Sequence, residues 1–186
     1  MKDKQLIEQF NDGDIEAFNQ IVARWQERIH RLAYRYFASY DEAVEITQKT
    51  FIKVYHNIES LEDYSKFPAW IYRISNNLCL DEVKRAGRKK ARPLEALKTQ
   101  RAALDAAADR AIHEKELGSI LQQALKQLPH DQRIVVIMKE YQELTFREIA
   151  EILEENENTI KSRMYYGLRS MKTIFKQWNI EMEELL

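Results

Sequence analysis

Apolar side chains recur at three- and four-residue steps along most of this chain, and that periodicity decides its fold class. Ile15, Phe18, Ile21, Val22, Trp25, Ile29, Leu32 and Tyr36 fall on one helical stripe. Ile46, Thr47, Phe51, Val54, Tyr55 and Ile58 form a second, and Trp70, Ile71, Ile74, Leu78 and Val83 a third. Leu117, Ile120, Leu121, Ala124, Leu125 and Leu128 begin a fourth group, which Pro129 ends. No segment alternates as a strand ladder does, and no repeat is visible. With only 4 Gly and 3 Pro in 186 residues, little interrupts the helices. The expected fold is all-α: two small helical domains joined by a flexible linker, the C-terminal one a helix-turn-helix.

Boundary signals agree with these stripes. Asp14 is placed to cap the first long helix and Asp41 to open the next, while a short helix at Lys4–Phe10 precedes both. The polar stretch Glu59–Lys66 reads as a loop. Pro68 suits the first turn of the third helix, and Gly87 is expected to stop it. The segment from Gly87 to about Ile112 passes from basic residues to an Ala-rich run with few large apolar side chains, and reads as a linker. Asp131 is expected to cap the helix carrying Ile134–Met138, and Thr145 with Glu148 forms a capping box. The division expected is 1–88, a linker at 89–113, a second domain at 114–178 and an acidic tail at 179–186.

The net charge of −1 averages over segregated blocks. Lys84, Arg85, Arg88, Lys89, Lys90 and Arg92 occur without an acid among them. So do Lys161, Arg163, Arg169, Lys172 and Lys176 between Asn158 and Ile180. Such blocks offer basic surfaces for phosphate.

The second basic block lies on the last helix, behind a capped helix and a short turn at Glu154–Glu157. That is the layout of a helix-turn-helix, whose second helix enters the major groove. Ile160, Met164, Leu168 and Met171 are expected to face inward. Thr159, Lys161, Ser162, Arg163, Tyr166 and Arg169 are left outside, with the chemistry for phosphates and base edges. One such charge would mark only a solvated face; five bases without an acid favour DNA. The turn has no glycine, so Asn156 or Asn158 is expected to take any left-handed conformation.

On the third helix, Trp70 and Tyr72 interleave with Arg73, Asn76, Asn77, Lys84, Arg85 and Arg88. Aromatic faces with basic and amide groups suit unpaired bases. Trp70 and Ile74 serve a core equally well; Asn77 and the cluster at 84–92 favour the binding role.

Other function classes find little support. His30, His56, His113 and His130 are scattered without ligand spacing, and no Gly-rich phosphate loop occurs, so neither an enzyme, a metal site nor a cofactor is expected. Cys79, the single cysteine, reads as a small buried apolar residue in a reducing compartment. No signal peptide or run of about 18 apolar residues is present, so a cytoplasmic location without membrane insertion is expected. A sensory receiver would alternate strands and helices before Glu114, which this chain does not. A pure interaction module would not need two basic surfaces.

Across nearly its whole length the chain resembles the extracytoplasmic-function group of bacterial sigma factors. The resemblance rests on Gln48, Thr50, Phe51, Lys53 and Val54 in Asp41–Ile58, and on Trp70, Tyr72, Arg73, Ile74, Asn77, Leu78 and Asp81 in Phe67–Arg85. It continues through Leu125–Arg133, Leu144–Leu153 and Asn158–Arg163. It implies a core-polymerase-binding helix with Asp41, Glu45, Gln48, Phe51, Lys53 and Tyr55. It also implies a minus-ten melting helix carrying Trp70 to Arg88 and a helix-turn-helix for the minus-thirty-five element. The implied partners are core RNA polymerase, through the largest-subunit clamp and the flap, promoter DNA, and an anti-sigma factor clamped between the domains. Val44 and Lys49 stand where the group has acids, Glu154 where its turn has glycine, and Tyr165 and Tyr166 where more basic residues are usual.

Overall fold

A computed structural model describes residues 2–90 and 109–180. The described residues are helical with no strand: α1 (Asp3–Asn11), α2 (Ile15–Phe37), α3 (Tyr40–Asn57), α4 (Phe67–Lys90), α5 (Asp109–Gln127), α6 (His130–Tyr141), α7 (Phe146–Leu153) and α8 (Glu157–Gln177). Short 3-10 turns at Ile58–Ser60 and Tyr64–Lys66 break up the expected loop between α3 and α4. Most of the expected linker, and the acidic side chains of the tail, lie outside the described residues.

In the first unit, α2 packs against α1 and α3, and α4 closes over α3. Asp14 caps α2 as expected, accepting from the Glu16 amide at 2.9 Å. The α2 stripe buries Ile21, Trp25, Ile29, Leu32 and Tyr36, each burial of this size being worth about 1.5–3 kcal/mol. Trp25 meets Phe67 and Tyr72 edge-on, at 5.8 and 5.7 Å between ring centroids, tying α2 to α4. Cys79 is fully buried in this core, and burial pushes its thiol pKa far up.

Several boundaries differ from expectation. Ser39, not Asp41, caps α3, accepting from the Glu42 amide at 3.3 Å; Asp41 sits inside the first turn, where its charge still favours the helix dipole. Helix α4 runs through Gly87 to Lys90, because a glycine in right-handed conformation weakens a helix by only about 1 kcal/mol and good formers flank it. Helix α5 starts at Asp109, inside the expected linker, consistent with the high helix propensity of this composition. Pro129 occupies the N-cap of α6 without a side-chain cap, leaving Asp131 within the first turn.

In the second unit, α8 packs against α5, α6 and α7. It buries Ile160, Met164, Gly167, Met171, Ile174 and Phe175, whereas Leu168 is about half exposed. The stripe therefore takes a three-residue step at Gly167, not a four-residue step to Leu168. The cause is close helix approach: a Cβ on Gly167 would lie 2.9 Å from Cγ2 of Val136 on α6.

The two units form one packed body in this structure. Helix α2 contacts α5 and α6, and α4 contacts α7. Arg133 lies over the Tyr36 ring at 4.8 Å, Arg35 over the Tyr141 ring at 4.4 Å, and the Gln122 amide donates to the Tyr34 carbonyl at 2.6 Å.

Candidate nucleic-acid interface

Helix α7, its turn and α8 form the expected helix-turn-helix. The capping box is complete: the Glu148 amide donates to Thr145 Oγ1 at 3.2 Å, and the Thr145 amide donates to the Glu148 carboxylate at 2.8 Å. The Thr145 hydroxyl, which donates to the Glu148 carboxylate at 2.6 Å, and the Thr145 amide hold that carboxyl below its usual pKa. Helix α7 ends at Glu154, which itself takes the left-handed conformation (φ 55°, ψ 41°). Asn156 and Asn158 do not; Asn156 instead caps α8, accepting from the Asn158 amide at 2.8 Å. The left-handed position follows the geometry of the α7 C-terminus, so the residue standing there adopts it whatever its type.

On α8, Lys161, Ser162, Tyr166 and Arg169 are exposed, and Thr159 is half-buried. Tyr165 and Tyr166 stand together at the surface, edge to face at 5.5 Å. Arg163 is more enclosed than its neighbours. It reaches Glu155 in the turn at 2.8 Å and Asp131 on α6 at 3.6 Å, bracing α8 against both. Lys161 pairs with Glu157 one turn back at 2.7 Å. Most of this face is therefore free to meet a duplex, while Arg163 is partly engaged within the protein.

The α4 set divides. Asn77, Lys84 and Arg85 are exposed, Arg85 pairing with Glu82 at 2.6 Å. Arg88 lies on the last turn of α4, its side chain outside the described residues. Trp70 is half-buried beside Phe67. Asn76 is buried with its Oδ1 unpartnered, and Tyr72 is buried with its hydroxyl donating to Gln142 at 3.1 Å. Neither presents a surface for bases here, because both point into packed helices. Arg73 is taken up by α7: Nε donates to the Ile152 carbonyl at 3.0 Å, Nη2 to the Glu151 carbonyl at 2.8 Å, and Nη1 lies 2.6 Å from the Glu154 carboxylate.

On α3, Asp41, Glu45, Gln48, Lys53 and Tyr55 are exposed along one side of the first unit. Phe51 is not among them. It is buried, since its register places it beside Ile46 and Val54 on the inward stripe. Tyr55 packs its ring against Phe10 and Phe18, which leaves its outer edge at the surface.

The contacts that join the units have no periodic signature in the sequence. Helical periodicity reports which side of a helix is apolar, not which distant helix covers it. The one visible sign was Glu154 itself, an acid where a turn would favour glycine.

Comparisons with known proteins agree with this architecture. The family model for sigma-70 region 2 matches residues 21–89, and that for sigma-70 region 4 matches residues 119–171. The chain is 33% identical over 178 residues to the ECF RNA polymerase sigma factor SigW of Bacillus subtilis, covering 91% of this chain and 94% of that one. It is 29% identical over 171 residues to the RNA polymerase sigma-H factor of Pseudomonas aeruginosa, covering 88% and 89%. In fold it is similar to CnrH in complex with the cytosolic domain of CnrY (TM-score 0.69, 19% identity, 94% of this chain and 97% of that one). It is also similar to RpoE of Bartonella quintana in complex with the anti-sigma factor NepR (TM-score 0.66, 21% identity, 87% and 98%). With both region models matched in order and relatives alike over nearly their full length, this chain belongs to the ECF family of RNA polymerase sigma factors.

Proposed function

We propose that this sigma factor binds core RNA polymerase through the exposed side of α3 and directs it to promoters by gripping DNA at two places. Helix α8 enters the major groove of the minus-thirty-five element, with Lys161, Ser162, Tyr166 and Arg169 as its exposed contacts and Arg163 joining once it leaves Glu155. Helix α4 and the segment 59–66 capture minus-ten bases as they leave the stack, with Arg73, Asn77, Lys84, Arg85 and Arg88 supplying hydrogen bonds and charge. The docking site on polymerase is the clamp of the largest subunit, with the flap receiving the second unit. The protein's part is binding rather than covalent chemistry, and it takes place in the cytoplasm, where its polymerase is.

The observation that carries this reading is the capped α7–turn–α8 unit with an exposed basic face on α8 and a second basic face on α4. That the fold neighbour RpoE is solved in complex with an anti-sigma factor supports such a partner for this chain as well. In vitro transcription with core enzyme on a randomised promoter library tests the reading. A sigma factor yields transcripts sharing an upstream and a downstream element; transcripts lacking either element would remove the corresponding arm.

A further inference from the structure

Two elements about 25 bp apart lie ~85 Å apart along B-form DNA. A compact chain of this length is only ~40 Å across. The packed arrangement of the two units therefore cannot serve both promoter elements at once. It must open. What holds it shut is specific.

We propose that Arg73 and Glu154 form an intramolecular latch that keeps Arg73 and the adjoining Tyr72 of α4 against the second unit and away from nucleic acid, while Asn77, Lys84 and Arg85 stay exposed. The proposal rests on the promoter-binding reading given above. All three guanidinium nitrogens of Arg73 are engaged by the end of α7, two by carbonyls and one by a carboxylate. Those carbonyls belong to the last turn of a helix, where acceptors lack helical donors and the dipole favours a cation. Glu154 completes the grip from a left-handed position (φ 55°) that glycine would occupy with less strain. A glycine there would close the turn equally well and leave Arg73 with only the carbonyls. The acid thus serves the contact between units, not the turn.

The latch also covers an aromatic neighbour of Arg73. Tyr72, next in sequence, is buried against Gln142 of the α6–α7 connection by the same approach of α4 to the second unit. The Glu154 side chain is 68% exposed and that of Arg73 33% exposed, so phosphates can reach the pair and compete for the guanidinium. Nucleic acid and opening are then coupled: each favours the other.

The test uses the full chain with dyes on Asn19→Cys in α2 and Gln177→Cys in α8, both exposed positions; buried Cys79 stays unlabelled in the folded protein. Energy transfer reports closure, and binding of a short fluorescent oligodeoxythymidine reports access to α4. Glu154→Gly and Glu154→Gln should both lower transfer and tighten oligonucleotide binding by about fivefold or more. Glu151→Gln removes the same charge nearby but keeps the carbonyl that Arg73 uses, and should do neither. Unchanged transfer in both Glu154 variants overturns the latch, as does equal tightening by Glu151→Gln. Promoter-specific transcription by unlabelled wild-type protein with core polymerase, measured separately, fails if the promoter-binding reading itself is wrong.

Discussion

The Tyr36 hydroxyl lies 2.6 Å from Nδ1 of His130, joining α2 of the first unit to the start of α6 in the second. Burial raises the Tyr36 pKa to about 12, so the hydroxyl stays protonated, and the tautomer of the His130 ring sets which partner donates. Burial is also the main cause holding the His130 pKa below its usual 6.5, with Arg133, Lys84 and Arg163 acting in the same direction and Asp131 against them.

This pair predicts a pH dependence. Once exposed, His130 binds a proton more readily than in the packed structure, so acid favours opening or unfolding. Its contribution is fully present above about pH 6.5 and fades as pH falls through that value and below. Melting temperature measured between about pH 8 and pH 5 should fall more steeply for wild type than for His130→Gln. Equal slopes would show that this histidine does not sense the transition.

The contact of Gly167 with Val136 predicts an overpacking penalty. Gly167→Ala gains up to about 1 kcal/mol of helix propensity but forces a methyl against a β-branched side chain with little rotamer freedom. A net loss of about 1 kcal/mol is expected, read as a lower denaturation midpoint. Pairing it with Val136→Ala should recover part of that loss, and a double-mutant cycle without coupling would refute the steric account.

At the start of α7, Thr145→Ala should cost about 1 kcal/mol by removing the cap, while Thr145→Ser should cost much less. The Glu148 carboxyl, held low by its bonds to Thr145, adds stability at neutral pH that is lost as pH drops through its lowered pKa. The acid side of the pH–stability profile should therefore flatten in Thr145→Ala, which thermal melts in acetate and citrate would reveal.

Arg163→Ala should weaken binding to minus-thirty-five duplex by about 1–3 kcal/mol and leave core-polymerase affinity unchanged. Since Arg163 also braces the turn and α6, a small drop in melting temperature should accompany it. Promoter affinity equal to wild type would exclude the arginine from the interface.

Local features were the legible ones. Asp14 and the Thr145–Glu148 box are legible in the sequence because a cap depends on residues within one turn. The stripes of α2 and α4 were found because burial repeats with the helical period. Leu168 misled because it is apolar and at a helical step, whereas the real contact uses the absence of a side chain at Gly167. Periodicity places Phe51 on the inward stripe while the family resemblance gives it a binding role, and the structure agrees with the stripe; Asn76 reads as a surface amide on residue type, but its register places it inside. Arg73 and Tyr72 were recognised as important polar groups on α4, yet their partners on α7 and Gln142 are some 70 to 80 residues away. Nothing local in the chain encodes such a pairing.

The passage of α4 through Gly87 has a mechanical consequence. The first unit ends in a projecting boom whose outermost turn, Gly87–Lys90, begins at its weakest joint. Wound, those four residues extend the boom by about 6 Å; unwound, they become about 13 Å of extra rope between the units. The reach between the two units is thus adjustable at a single glycine. Gly87→Ala should fix it, slowing amide exchange at Arg88 to Lys90 and narrowing the range of spacer lengths that support transcription.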